Sequence, residues 1–533
     1  MSRLQHSTLG TIEGLVSGNV TQFLGIKYAS LDHRFGTPKL YNGQASSGFV
    51  NAKSVGPAAI GIPNGCQLEH GLIQHSLPIP DFPPESDTEC LNLSITVPRD
   101  GAKAGKKLPV FVFLHGGALA FGSGTWPQYD QAKIVRRSVE LETPIIGVVI
   151  NYRTNIFGFL TSDELRKAGF KANNGLRDQK VAFEWVRAHI EGFGGDPNQV
   201  TAVGQSAGGV SATTLLQCPE QLFQRMVFLS GSCLLRRPVS LDTHEQFYLE
   251  FCKAQGFEGI FGDDRIRAIE DRNSLELLLK TPPSVPSLPA LDHDLLKEQI
   301  SFEKAKHWSD TQQSQLPGLE WCKEIVFGDC EYDASVFVRA LTKRGSNVAQ
   351  QLSNSLNRAI PGKEPAIAAL LEDYGISDAV DNGSACQAIS HLANDLSFYL
   401  PCDVFVQFFP GTKYIYHMNE PNPWDGPFKG KAAHAVDVTF LFKNFDQFLS
   451  PWTKAVAQGF GDNIIKFIGG QVPWQASSGD NRVALVYGND ARGGKLRKDE
   501  PESVGRRATI FRYEESIGYD ALLDAVSNFV AGK

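Results

Sequence analysis

No stretch of this 533-residue chain approaches eighteen consecutive apolar residues, so nothing in it reads as a membrane-spanning helix. Internal repeats and low-complexity linkers are missing too, which excludes a solenoid or a string of tethered modules. Cysteine is scarce. Nine residues, an odd number at low density, exclude a disulfide-stapled scaffold and leave room for one or two bridges at most. There is no basic excess: Lys and Arg number 51 against 58 Asp and Glu, a formal charge of −7, and no nucleic-acid partner is expected. The one basic tract, Arg492 to Lys498 with Arg506 and Arg507 beyond it, is interrupted by glycines and acids and is expected to be a solvated face. The first residues, MSRLQHSTLGTIEGLVSG, lack a signal peptide's apolar core and small-residue cleavage site. A cytoplasmic location is the expectation, with secretion the alternative if Met1 is not the native start. Three Asn-x-Ser/Thr sequons, at Asn19, Asn92 and Asn382, are about what chance supplies and carry no weight.

What the chain does contain is an ordinary globular balance, 42% hydrophobic and 20% charged, ample for a large core. Short alternating apolar runs between Ser7 and Val50 read as antiparallel edge hairpins. Glycine, proline and aspartate dominate from Gly56 to Pro84, which reads as a loop. Buried strands follow in LNLSITVP, in LPVFVFL, in PIIGVVI and in MVFL from Met226. Helices alternate with them around Gln131 to Glu140 and Asn173 to Ile190, as a mostly parallel sheet covered on both faces requires. KYIYHM is a late strand, and ESIGYDALLDAVSNFVAG closes the chain as an amphipathic helix. Amphipathic helices and proline-rich loops from about 241 to 317, and helical patterning again from about 335 to 409, read as insertions over one end of the sheet. The whole chain, 1–533, is expected to form one domain.

Chemistry concentrates in VTAVGQSAGGV, Val200 to Val210. A β-branched run enters a Gly-x-Ser-x-Gly pentapeptide, placing Ser206 on a sharp strand-to-helix turn, where Gly204 and Gly208 remove side chains that would clash. With 51 glycines, such a pentapeptide arises by chance in roughly a third of chains this long, so the surroundings must support it. A serine hydroxyl is a weak nucleophile at neutral pH. It needs a base within reach, a carboxylate to orient that base, and donors for the oxyanion.

FLGIKYA with Arg34 and Phe35, TECLNLSITVP, and NNGLRDQKVAFEWV with FGGDPNQVTAVGQSAGG together resemble the type-B carboxylesterase family, which includes cholinesterases and fungal lipases. The resemblance runs nearly end to end. Glu89, Asn92 and Ala202 depart from the family's usual residues at packing positions. The resemblance implies an α/β-hydrolase fold, a small-molecule ester substrate and no cofactor or metal. It implies Ser206 as nucleophile and His434, in KAAHAVDVTFLF, as base. In VFGDCEYDASVF it selects Asp333 as the acid; the family more often carries Glu, and Glu331, two residues earlier, is the alternative. It implies backbone donors at Gly117, Ala118 and Ala207, with His115 supporting the loop, and a possible disulfide between Cys66 and Cys90. Between those cysteines Phe82 is the only Phe, Tyr or Trp, and Gln205 stands where cholinesterases carry an acid, so a neutral, fairly apolar ester is expected over a choline ester. Acyl transfer, lactone or thioester cleavage would use the same residues, and a catalytically silent binding protein is the alternative of another class.

Overall fold

The computed structural model describes residues 2–43, 48–99, 106–310, 316–488, 491–500 and 504–532. Among the described residues twelve strands form one continuous path across the main sheet: β1 (Ser2–His6), β2 (Gly10–Ser17), β3 (Val20–Lys27), β4 (Asn92–Pro98), β5 (Leu108–Leu114), β6 (Ile146–Ile150), β7 (Gly195–Gln205), β8 (Arg225–Leu229), β9 (Glu324–Cys330), β10 (Thr412–Met418), β11 (Val483–Gly488) and β12 (Ala491–Lys498), with a further short strand, Phe49–Ala52, paired parallel with β2. Their spatial order is β1-β2-β3-β4-β6-β5-β7-β8-β9-β10-β11-β12. From β6 to β11 every neighbouring pair is parallel. The first strands and β12 pair antiparallel at the two edges.

Both faces of the parallel strands are covered, and the side-chain alternation shows it. Val110, Val112 and Leu114 of β5 pack into one apolar core with Met226 and Phe228 of β8. Phe111 and Phe113 pack into a second core with Val227 and Leu229. A continuous apolar run is what such doubly covered strands require.

Helices fill the connections: α1 (Gly65–Ile73), α2 (Ala132–Glu140), α3 (Asn174–His189), α4 (Ala207–Thr214), α5 (Leu241–Gln255), α6 (Gly262–Glu270), α7 (Ser274–Lys280), α8 (Ser335–Thr342), α9 (Val348–Ala359), α10 (Glu364–Asp373), α11 (Asn382–Asn394), α12 (Leu400–Phe408), α13 (Val436–Phe442), α14 (Pro451–Ile468) and α15 (Tyr519–Val530). Within the first expected insertion, helices α5 to α7 end at Lys280; irregular chain and the short turn Phe302–Ala305 follow, and residues 311–315 lie outside the described residues. The second stretch carries α8 to α12, with α11 joined to α12 through a π-helical turn, Asp395–Tyr399.

Three expectations are corrected. The Gly56 to Pro84 segment is not all loop: α1 occupies its centre, because Cys66, Glu69, His70 and Ile73 recur at helical spacing and are buried. The pairing of Cys66 with Cys90 is not made; all nine cysteines are free and buried. Cys66 packs in the core that holds Trp126 and Tyr129, whereas Cys90 packs in the core on the other face of the sheet. Third, the basic tract divides. Its strand β12 is a mostly exposed sheet edge, where charge discourages further strand pairing. Arg507 is instead buried, with Nη2 2.8 Å from Asp329 Oδ2.

Candidate active site

The functional groups meet at the carboxyl ends of β7, β9 and β10, the edge where open parallel sheets place their ligands. Ser206 lies between the end of β7 and the start of α4 in a backbone conformation of φ 52°, ψ −120°. A non-glycine residue pays strain for such a positive φ, and the surroundings enforce it. Ser206 N–H donates to Leu229 O at 2.8 Å. A Cβ on Gly204 would fall 2.3 Å from Gly208 O, and one on Gly208 2.0 Å from Leu114 O, so the helix can close on the strand only with glycine at both places.

Asp333 lies just past β9 and is fully buried. Its Oδ2 accepts the Cys330 N–H at 2.7 Å, and its Oδ1 lies 2.7 Å from His434 Nδ1. His434 reaches this point from the loop between β10 and α13, with its own N–H donated to Ser335 Oγ at 3.0 Å. The chain thus brings Asp333, not Glu331, against the imidazole; Glu331 is exposed, and its N–H serves Met418 O at 3.0 Å.

The tautomer follows from the partners. Gln205 Nε2 is 3.2 Å from His434 Nε2. An amide nitrogen can only donate, so Nε2 carries the lone pair and Nδ1–H donates to Asp333. In this resting arrangement Gln205 occupies the lone pair that a base would turn toward serine. Burial alone pulls His434 down, but the Asp333 hydrogen bond and charge, with Asp437 and Glu69 nearby, outweigh it and raise its pKa. Burial pushes Asp333 up to about 6 against the pull of His434.

Opposite Ser206, Gly117, Ala118 and Leu119 form three successive residues of positive φ, at 102°, 57° and 61°. A Cβ on Gly117 would sit 2.0 Å from Phe121 O. The turn closes through N–H groups of Ala120 and Phe121, both donating to Gly117 O. Among the described residues, the N–H groups of Gly117, Ala118 and Ala207 have no backbone or side-chain acceptor. His115 stays neutral, its pKa held near 4 by burial, and stacks on Tyr152 with ring centroids 4.2 Å apart. It supports this loop, as the sequence led us to expect.

Ser206, His434, Gly117, Ala118 and Ala207 line one cavity of about 330 Å³. Several of its other groups carried no sequence signal. Glu69 was hidden in a segment read as loop; it accepts from Tyr129 Oη and Gln128 Nε2. Phe398 and Arg236 enter from segments read only as an insertion and a strand end. Outside the cavity lining, Asp437, three residues after His434, accepts from Tyr416 Oη at 2.7 Å and Ser230 Oγ at 3.0 Å. The proximity of Asp437 in sequence could have flagged it.

Comparison with known proteins agrees with this architecture. Residues 2–473 match the Carboxylesterase family. The chain is 27% identical to Lipase 3 of Yarrowia lipolytica over 491 residues, 89% of this chain and 88% of that one. It is likewise 27% identical to the para-nitrobenzyl esterase of Bacillus subtilis, over 82% of each. A solved structure of a PNB esterase superposes with a TM-score of 0.76 over 96% of this chain and 99% of that one, at 22% identity, which speaks for the fold. Sheet order, nucleophile turn and the match over residues 2–473 converge on one conclusion: the chain has the α/β-hydrolase fold and belongs to the Carboxylesterase family.

Proposed function

We propose that this carboxylic ester hydrolase works through an acyl-enzyme on Ser206, with His434 as general base and acid and Asp333 as the residue that orients it. The observation that supports this reading is the 2.7 Å contact of His434 Nδ1 with buried Asp333, in one cavity with Ser206 and three unused backbone donors. On substrate entry His434 Nε2 exchanges its Gln205 partner for the Ser206 hydroxyl. Serine Oγ attacks the ester carbonyl as its proton passes to Nε2, and the imidazolium is held by Asp333. The oxyanion takes the N–H groups of Gly117, Ala118 and Ala207. The alcohol then leaves with the proton from Nε2, and water, activated by the same nitrogen, releases the acid.

The cavity wall is largely apolar, including Leu72, Phe121, Val210, Val336 and Phe337, which suits an ester with an apolar body. Ser206→Ala tests the reading. Turnover of p-nitrophenyl esters should fall by on the order of 10³ to 10⁶ with an unchanged melting curve, and stoichiometric labelling by an organophosphate should vanish. Retained turnover or labelling would refute it. A series of acyl lengths on the same leaving group then measures the depth of the cavity.

A further inference from the structure

Two arginines in tandem follow β8, and their surroundings differ. Arg237 is committed to structure: Nη1 donates to Asp520 Oδ1 at 2.5 Å, and Nη2 donates to Asp520 O at 3.2 Å and to Asp524 Oδ1. Arg236 lines the catalytic cavity. Its single hydrogen bond among the described residues runs from Nη1 to the Ser287 carbonyl at 2.7 Å, and no carboxylate lies within ion-pair distance. The other guanidinium N–H groups have no acceptor among the described residues.

An unpaired cation at a partly buried wall is unfavourable unless something else completes it. Burial pulls the pKa of Arg236 down to about 10, which leaves it charged at neutral pH. The one carboxylate among the residues that line the same cavity is Glu69; its Oε1 accepts from Tyr129 and Gln128, and it makes no ion pair with Arg236 among the described residues. Among the described residues no aromatic ring stacks on Arg236, whereas Arg265, Arg344, Arg492 and Arg507 elsewhere do lie over rings. A guanidinium with free, coplanar donors matches a carboxylate as a two-point acceptor.

We infer that Arg236 is a specificity residue of this cavity and that the preferred esters carry a carboxylate remote from the scissile bond. The inference rests on the cavity being the ester site. It refines the expectation of a wholly neutral substrate: the body is apolar, and one end is an anion. The anion can belong to the acyl chain or to the alcohol, and two substrate pairs separate these sources. The acyl pair is the p-nitrophenyl monoester of adipic acid against p-nitrophenyl hexanoate. The alcohol pair is 3-carboxyphenyl butyrate against phenyl butyrate.

In the wild type, kcat/KM for the anionic member should exceed that of its neutral partner by tenfold or more in one pair, which identifies the side. Arg236→Met should reduce that ratio at least tenfold, and Arg236→Lys, which keeps the charge but loses the fork, should give an intermediate ratio. Neutral members winning both pairs, or an Arg236→Met ratio equal to wild type, would overturn the proposal. Should neither pair be hydrolysed, the hydrolase reading fails and Arg236 is judged by binding. Calorimetry with monomethyl adipate and with 3-hydroxybenzoate on Ser206→Ala should then show at least one binding tenfold or more tighter than on the Ser206→Ala, Arg236→Met double variant. Equal affinity of the two proteins for both ligands would overturn the role of Arg236.

Discussion

Two buried histidines in this molecule face aspartate in almost the same way, and their remaining surroundings differ. His434 Nδ1 lies 2.7 Å from Asp333 and His417 Nδ1 lies 2.6 Å from Asp329. The difference is on the other nitrogen. His434 Nε2 meets the neutral amide of Gln205 at the wall of a cavity, whereas His417 Nε2 lies 3.2 Å from a second carboxylate, Asp499. Burial by itself pulls His417 down, but two carboxylates outweigh it and lift its pKa to about 9, so it remains a cation at neutral pH. Arg507 completes that cluster on Asp329. A His–Asp pair is therefore not a signature of catalysis. What frees an imidazole to exchange protons is a second nitrogen facing an uncharged partner and open space.

Exchanging the two acids gives the largest contrast. Asp333→Asn should lower turnover by up to roughly 10⁴, since the imidazole loses both its orientation and the charge that stabilises the imidazolium. Asp329→Asn should leave turnover within a few-fold and lower the unfolding free energy by about 3 to 5 kcal/mol, the scale of breaking a buried ion pair. Glu331→Gln should change neither. Kinetics and chemical denaturation on the three variants decide this, and a larger kinetic loss at Glu331 would transfer the orienting role to it.

Stability against pH sharpens the comparison next. His417 is raised in the folded state from an ordinary value of about 6.5 to about 9. Its contribution, about 3 kcal/mol on that shift, is then present in full below about pH 6.5 and lost as pH rises through about 9. Denaturation curves from pH 6 to 10 should show wild type weakening across that window and His417→Gln weakening less. Equal slopes would remove the imidazolium from the account.

For His434 the same sign of shift acts on rate. In the proposed mechanism His434 works only when neutral, so raising its pKa means that activity is lost sooner as pH falls, with an acid limb in kcat/KM above the ordinary His value of about 6.5. Gln205→Glu would place a charge beside Nε2 and should move that limb up by about one pH unit, making His434 resemble His417. An unmoved limb would mean that Gln205 does not sit on the base in solution.

The smallest effect concerns substrate charge. Phe121 does line the cavity, from outside the Cys66 to Cys90 segment, but Arg236 shares that wall and repels cations. Butyrylcholine should be the poorer substrate against a neutral butyrate ester of similar size, compared by kcat/KM at equal ionic strength. A tenfold preference for choline would show that the aromatic face outweighs the arginine.

The strand-helix alternation and the nucleophile turn were legible in the sequence because both are local. Continuous apolar runs mark strands buried on two faces, and Gly204 answers to the Gly208 carbonyl four residues on, although Gly208 itself answers to Leu114 O of β5. His434 and Asp333 were singled out through resemblance, since nothing local distinguishes His434 from His417, or Asp333 from Glu331. Only the tertiary structure separated them, by burying Asp333 under the Cys330 N–H while Glu331 turned to solvent. It likewise put Cys66 and Cys90 on opposite faces of the sheet, and placed Arg236 in the cavity while binding its neighbour Arg237 to α15. A residue's local propensity is written in its neighbours along the chain. Its charge state and partners depend on groups about 80 to 300 positions away, which come together only when the sheet brings the ends of its strands to one edge.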